Sequence, residues 1–488
     1  MSSTATEQAQ PAAEMSLKQR LLAAAYPSAP NRDFWILLIG VALLGRVIVA
    51  MGILHNMPLF SDASAHSIQA TEIVDGVNHF PYYFPVGTSY VLAAGYWAFG
   101  VHLWVAHALM VLVSVGSVVT TALLAQRLFR NPRVAILAGW ILALFPGMWM
   151  MAAQPFSFDI PLLCINLAAL FGLRAWESER PVSRLVDYAV VGVALGFAAV
   201  TRPSTLSIAI ALVGAALIVI WRRYKANEPT QAWPFVAGVA VAAVFAVATM
   251  TPAVIHNENY DQGLTLSVNN ELNTWLGNNP YTPSYRTNYL GQHPVRDFPP
   301  EVGTYMRRFN YGRFPSKERR EKVQDETIRF VEHHPAVTAL RSFNRVREFW
   351  GFDYTISNLF RVEWAKGAKY EALGLIFEAG AYFVLALLCF IALIFARELF
   401  KPGAIWFLLA LIVTFQLPYV FVYAGGRWHY PVLGLLAVIG GAGLYWLMNT
   451  PDRWRRLRDS TAFWVCTIVF ALIQLEYAYY LFVWDYKG

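Results

Sequence analysis

Apolar runs of about twenty residues recur along most of this chain, and no other feature constrains its fold as strongly. They cover 34–54, 103–128, 134–151, 160–173, 188–199, 204–220, 233–250, 373–396, 405–423, 431–448 and 463–484. A helix needs about 20 apolar residues to cross a bilayer. In lipid every backbone amide must be paired within the protein, so runs of this length cross as helices. The chain therefore reads as an all-α polytopic membrane protein with about eleven transmembrane helices. Composition agrees. Of 488 residues, 57% are hydrophobic and 14% charged, against about 25% charged in soluble domains. Seventeen Trp and 24 Tyr suit a chain with many membrane interfaces, where amphipathic rings collect.

The polar remainder divides the chain. Residues 1–33 form a polar N-terminal segment whose first fifteen residues, rich in Ser, Thr, Gln, Ala and Pro, read as disordered. No small-residue cleavage site follows the first apolar run, which reads as a retained span. A transmembrane region occupies 34–252 and contains a polar first loop at 55–100. A long polar segment follows at 253–370, and a second transmembrane region at 371–488. The 253–370 segment is too long for a simple connection and reads as a mainly α-helical cap. Within it, 316–333 reads as a charged surface helix with a capping-box start at Ser316.

Cations set the orientation. Lys18, Arg20 and Arg32 precede the first span. The arginines of 127–133, 174–184 and 222–223, Arg397 with Lys401, and Arg453, Arg455, Arg456 and Arg458 all fall on that same side. By the positive-inside rule this side is cytoplasmic. The first loop, the 253–370 cap, Asp62, Asp159, Arg202 and Arg427 then face outward, toward the periplasm or exterior of a cytoplasmic membrane. The net charge of +7 sits in loops flanking spans, not in an aromatic-laced basic patch, which argues against nucleic acid as a partner. Cys164, Cys389 and Cys466 all lie inside apolar runs, so neither a disulfide framework nor a metal-ligand spacing is present. His333-His334 lacks a third ligand and reads as a helix end.

Asp62 is the first acid after the first span and follows a Pro-bearing turn. A carboxylate held at a membrane surface beside aromatic, proline-rich chain is a candidate general base. The plainer alternative is that it caps a short helix over 63–74. Further along come Pro85-Val-Gly87, Ala143-Leu-Phe-Pro146, Ser157-Phe-Asp159, and the run from Gly192 to Thr201-Arg202-Pro203. Leu276-Gly277-Asn278-Asn279-Pro280 and Gly425-Gly426-Arg427-Trp428-His429-Tyr430-Pro431 complete the series. Taken in order, these motifs resemble the GT-C superfamily of polyprenyl-phosphate-sugar-dependent glycosyltransferases. Within it they are most similar to the branch of protein O-mannosyltransferases and lipid A aminoarabinose transferases. The likeness runs over nearly the whole chain beyond residue 34.

The resemblance implies roles for particular residues. Asp62 matches the first-loop acid that acts as, or beside, the base for the acceptor hydroxyl. Many relatives carry a second acid next to it, where this chain has Ala63. Arg427 matches the late-loop arginine placed near the donor phosphate, and Arg202 falls in the family's Arg-Pro turn. Elementary chemistry fits these roles. Breaking the anomeric bond of a polyprenyl-phosphate sugar develops negative charge on phosphate, which a guanidinium meets with two parallel donors. One base and one displacement invert the anomeric carbon, whereas retention needs a second carboxylate. His66, one helical turn from Asp62, is a candidate substrate contact or a solvated helix position. Asp159 is a candidate site acid or a helix cap. Asn278 and Asn279 are candidate sugar ligands or simply turn residues. His429 and Tyr430 are candidate contacts or interface packing.

The function these readings favour is an inverting glycosyltransferase. It moves a sugar from a polyprenyl-phosphate donor to an acceptor hydroxyl on a cell-envelope glycan, lipid or protein. Its other expected partners are membrane lipids. No cofactor is expected, and a divalent metal is left open. One alternative is an oligosaccharide ligase or polymerase of the O-antigen type using a diphosphate-linked donor. Such enzymes hold their catalytic arginine and histidine in one large late loop. Another alternative is a lipid or solute transporter, which favours paired repeats with charges near the bilayer midplane.

Overall fold

The computed structural model describes residues 16–77, 79–227, 229–285, 315–354, 357 and 368–479. The expected disorder of the first fifteen residues and the middle of the 253–370 segment lie outside them. Among the described residues there is no strand, only an isolated bridge between Phe129 and Phe400. Ten helical segments are long and apolar enough to cross a membrane. The protein is an all-α polytopic membrane protein.

A short amphipathic helix, α1 (Leu17–Ala25), opens the described chain with a full capping box between Ser16 and Gln19. The first span is α2 (Arg32–Arg46), whose last turns widen into a π-helix over Val47–Ile53. Two short helices, α3 (Asp62–Val74) and α4 (Gly87–Phe99), make up most of the first loop. Then come α5 (Leu103–Leu128), α6 (Pro132–Ala143), α7 (Pro146–Met151), α8 (Asp159–Glu177) and α9 (Pro181–Thr201). A 3₁₀ turn over Pro203–Ser207 precedes α10 (Ile208–Lys225), which leads to α11 (Pro229–Glu258). The long polar segment contributes α12 (Asn270–Gly277), α13 (Lys317–His333) and α14 (Pro335–Phe349). The remaining helices are α15 (Ala368–Phe395), α16 (Ala404–Phe421), α17 (Leu433–Asn449), α18 (Arg453–Arg458) and α19 (Thr461–Tyr479).

Several sequence expectations are corrected here. The run 134–151 is not one continuous helix, because it breaks between α6 and α7 at Leu144-Phe145. Pro146 causes the break. It has no N–H to offer the Leu142 carbonyl four residues back. The fully buried Arg46 supplies donors instead, with Nη2 on Leu142 O at 3.3 Å and Nη1 on Ala143 O at 3.2 Å. The helix at Ser316 has a side-chain cap but no capping box, since Arg319 stands at the third position and only the Ser316 hydroxyl bonds its amide.

The core is a set of tightly apposed helices. α17 is the most buried span, pressed between α15 and α6 and also touching α5. Small residues permit that approach. A Cβ at Gly443 would lie 2.0 Å from the Leu388 carbonyl of α15. At one end of the bundle Arg127 pairs with Glu177, Arg174 with Asp187 at 3.4 Å, and Lys401 N donates to Leu128 O at 2.9 Å. α8 runs from this end to Asp159. At about 1.5 Å per residue its length is close to 28 Å, near the thickness of a bilayer's hydrocarbon. The residues singled out from the motifs lie at the far end of the bundle.

Candidate functional site

At that far end, chain breaks in four elements converge. The first turn of α3 carries Asp62, the end of α9 carries Arg202, the end of α16 carries Tyr419, and the 3₁₀ turn Gly426–Val432 carries Arg427. Each break has a local cause. Ser61, just ahead of Asp62, holds φ +50°, a backbone region that costs a non-glycine residue of order 1–3 kcal/mol. Buried Gln154 over-determines that loop, accepting from Phe60 N at 3.1 Å and donating to Pro58 O at 2.9 Å. Pro203 ends α9 by biasing Arg202 out of the helical region, and Arg202 is extended at φ −155°, ψ 100°. Gly426 lets the Arg427 turn press on the chain after α14, because a Cβ there would sit 2.2 Å from Phe352 O.

These breaks enclose a cavity of about 270 Å3. Its lining includes Asp62, Phe84, Ser157, Phe158, Arg202 and Ser204. The α16 end adds Tyr419 and Tyr423, Trp428 closes one side, and Asn269, Asn270, Asn273 and Thr274 of the α12 region form a wall. Asp62 and Arg202 are the charged residues among this lining. Arg202 lies in an aromatic cage, its Cζ 4.9 Å from the Phe158 ring, 5.4 Å from Trp428 and 5.5 Å from Tyr419. Its Nε donates to the Tyr419 hydroxyl at 2.5 Å and its Nη1 to Ser157 Oγ at 3.3 Å. Arg427 flanks the cavity beside Asp62, Nη2 to Oδ2 3.9 Å, with both side chains about one-third exposed. A pair that long and that wet contributes little to stability. Both guanidiniums rest on the same ring, since Arg427 Cζ lies 5.8 Å from Phe158. Burial, with the Asp62 charge as a lesser cause, pushes the Tyr83 hydroxyl up to about 12. Tyr423 is raised further for the same first reason. Both phenols stay protonated donors at neutral pH.

The structure thus brings together Asp62, Arg202 and Arg427, and sets the other sequence candidates apart from the cavity. Asp62 is the first residue of α3, and the N-cap position is Ser61. His66 is buried, facing Ser89 Oγ of α4 at 3.5 Å and packed edge-on to Phe84. Burial pushes its imidazole down to about 4, against the opposing pull of Asp62. Asp159 follows the N-cap Phe158 and is buried, with neither carboxylate oxygen hydrogen-bonded.

Asn278 and Asn279 are turn residues. Asn278 Nδ2 donates to Thr274 O at 2.9 Å and Phe421 O at 2.8 Å. Asn279 Nδ2 donates to Trp275 O at 2.8 Å, and its Oδ1 accepts from Tyr281 N at 2.9 Å and Thr282 N at 2.8 Å. His429 stacks on Tyr382 with centroids 4.2 Å apart and bonds Phe349 O at 3.1 Å, while Tyr430 is buried against Phe158. His333 bonds the Arg329 carbonyl at its helix end. Among the described residues no three His, Cys, Asp or Glu side chains converge as a metal set.

Sequence reasoning missed the α12 wall and what holds it. Arg345 of α14 donates to Gly277 O at 2.6 Å, Asn278 Oδ1 at 2.9 Å and Val420 O at 3.0 Å. Arg341 donates to Asn279 O at 2.8 Å and also to Thr282 O. Burial pushes both guanidiniums down to about 10, and both remain charged at neutral pH. Arg345 thereby ties the end of α12 to the α16 end that carries Tyr419, and Arg341 fixes the turn that follows α12. A signal for the wall was present: Leu272, Trp275 and Leu276 repeat at helical spacing, opposite Asn270, Asn273 and Thr274.

Comparison with known proteins adds to this picture. Residues 84–250 match the profile of the family described as dolichyl-phosphate-mannose-protein mannosyltransferase. No curated protein sequence matches the chain. Among solved structures, the oligosaccharyltransferase of Archaeoglobus fulgidus, crystallised with zinc and sulfate, aligns over 88% of this chain and 52% of its own. Its identity is 11% and its TM-score 0.46. The archaeal oligosaccharyltransferase AglB of the same organism, with an inhibitory peptide and a dolichol-phosphate, aligns over 90% and 54% at 12% identity and a TM-score of 0.46. ArnT from Cupriavidus metallidurans, bound to undecaprenyl phosphate, aligns over 88% and 82% at 17% identity and a TM-score of 0.38. The chain spans about half the length of the two archaeal chains. The family match across 84–250 falls within the stretch over which the ordered motifs resemble the GT-C superfamily of glycosyltransferases.

Proposed function

We propose that the protein transfers a sugar from a polyprenyl-phosphate carrier to an acceptor hydroxyl, with inversion at the anomeric carbon. The observation that carries this reading is the meeting of Asp62 and Arg202 in one cavity at an end of the membrane bundle, with Arg427 beside Asp62 at its edge. An amphiphilic donor needs a polar pocket reachable from lipid, and ends of spans supply that position. In the reaction, the acceptor oxygen bonds to the anomeric carbon as the bond from that carbon to the phosphate oxygen breaks. Asp62 takes the acceptor's proton. The bonding pair leaves with the phosphate, which becomes a polyprenyl phosphate monoester with one more negative charge. Arg202, lining the cavity, and Arg427, beside it, stabilise that growing charge. A leaving group of this kind needs no general acid. Asp62 is the one carboxylate among the described lining residues, which favours single displacement over a covalent intermediate.

The orientation belongs to the same proposal. The cation-rich end faces the cytoplasm, and the cavity and the 253–370 cap face outward. The acceptor is a hydroxyl of a glycan, lipid or protein on that side. The test is sugar release and transfer from a radiolabelled polyprenyl-phosphate sugar by purified protein, with Asp62→Asn as control. Transfer from the monophosphate donor lost in Asp62→Asn supports the reading. Activity only with a diphosphate-linked donor, or lipid movement without sugar transfer, overturns it.

A further inference from the structure

We propose that Asn269 and Asn273, with Thr274, are the residues that select the transferred sugar by reading its hydroxyls. This rests on the donor reading above and adds to it the residues that set specificity. The wall they form is neutral and polar, and it belongs to the same cavity as Asp62 and Arg202. Asn270, Asn273 and Thr274 share one face of α12, while Leu272, Trp275 and Leu276 are buried on the other. The approach to α12 is fixed by Val268 N donating to Tyr82 O at 2.9 Å, which ties it to the first loop. Its far end is fixed by the two buried arginines.

The side chains on this face have unequal freedom. Asn270 is bonded to Ser267 and Thr265, and so shapes the loop. Asn273 accepts from the Tyr423 hydroxyl at 3.3 Å on Oδ1, which leaves its amide N–H₂ facing the cavity. Asn269 is 7% exposed, lines the cavity, and makes no side-chain bond among the described residues. A buried amide with no partner is unfavourable unless a ligand completes it. Thr274 Oγ1 donates to Asn270 O at 3.0 Å and keeps its lone pairs for an incoming hydroxyl. Amide donors and acceptors beside the rings of Tyr423 and Trp428 fit the alternating hydroxyl and C–H faces of a sugar. Among the described residues, the α12 wall itself brings neither a carboxylate nor a guanidinium to the cavity lining. The selected sugar is therefore uncharged where it meets α12.

The experiment measures kcat/KM on purified protein for a panel of polyprenyl-phosphate donors: a neutral hexose, its ring-deoxy analogues, and an amino-sugar analogue. Quenching of tryptophan fluorescence, to which Trp428 contributes, reports donor binding without turnover. The parent should disfavour at least one deoxy analogue by roughly ten-fold or more. Asn269→Ala or Asn273→Ala should lower the hexose rate while leaving that analogue's rate nearly unchanged, so the discrimination collapses. Asn273→Asp keeps the acceptor for Tyr423 but exchanges a donor for a charge, and should shift preference toward the amino sugar. Equal losses on every donor in all three variants would show the wall to be merely structural and overturn the proposal, with the transfer reading intact. Absence of both binding and transfer with every polyprenyl-phosphate donor would remove the transfer reading, and the subsite with it.

Discussion

At the scale of single residues, Asp62 and the neighbouring Arg427 have different work to do. Asp62→Asn keeps size and hydrogen bonding but cannot accept a proton. Donor binding should survive and single-turnover rate should fall about 10²–10⁴-fold, the usual range for a lost general base. Arg427→Lys keeps charge but loses the planar fork that matches phosphate, so donor affinity and rate should fall together. Turnover by Asp62→Asn at the parent's rate would move the base elsewhere, although Asp159 is now a poor substitute because it is buried outside the cavity lining. A second residue-level prediction concerns His66. Its folded value of about 4 lies below the ordinary histidine value of 6.5 because burial disfavours the charged ring. As pH falls from 6.5 toward 4, the unfolded chain takes up a proton that the folded chain refuses. Stability is therefore full above 6.5, is lost across that window, and levels off below it. Thermal unfolding in detergent should show this slope in the parent and a shallower one in His66→Gln. Identical slopes would mean the ring is not buried neutral.

At the scale of elements, the two arginines of α14 are the rivets of the site. Arg345 is buried and bonds carbonyls at the ends of both α12 and α16. Arg345→Met should leave Asn278 Oδ1 without its donor and Gly277 O with only the 3.4 Å bond from Arg341, while Val420 O keeps the Ser342 hydroxyl, at a cost of about 1–3 kcal/mol. We expect a lower Tm and weaker donor binding, and a melting curve unchanged from the parent would show that the latch does not hold α12. These arginines also show why the sequence was legible in some places and silent in others. Spans announce themselves by apolar length, and Pro203 and Gly426 announce breaks beside Arg202 and Arg427, whereas the break at Pro146 was passed over inside an apolar run. Asn278, Asn279 and the α12 asparagines carry the same side chain. Which of them saturates its amide on backbone and which faces open space depends on packing that only the fold supplies. Arg341 and Arg345 gave no such signal, because nothing local tells a buried guanidinium bonded to carbonyls from a solvated one. Arg46 was likewise hidden inside an apolar run, since its partners, the Leu142 and Ala143 carbonyls, are freed by a proline about a hundred residues away.

At the scale of the whole molecule, the reading stands or falls on which way the bundle points. The cavity and the α12 wall lie at one end of α8, and the Arg127–Glu177 and Arg174–Asp187 pairs at the other. If the cation-rich end is cytoplasmic, the donor's phosphate, its sugar and the acceptor meet on the outer side. Two exposed positions test this. Leu264, on the approach to α12, is 87% exposed, and Trp454, in the arginine-rich α18, is 69% exposed. Background is low, because Cys164 and Cys389 are buried and the half-buried Cys466 can be replaced by Ser. In cells stripped of any outer barrier, Leu264→Cys should react with a membrane-impermeant thiol reagent before lysis, and Trp454→Cys only afterwards. The reverse pattern would place Asp62 and both cavity arginines in the cytoplasm, where an acceptor outside the cell cannot reach them. Transfer activity in a purified sample would then need a cytoplasmic acceptor, and the division of roles among Asp62, Arg202 and Arg427 would have to be tested on that side of the membrane.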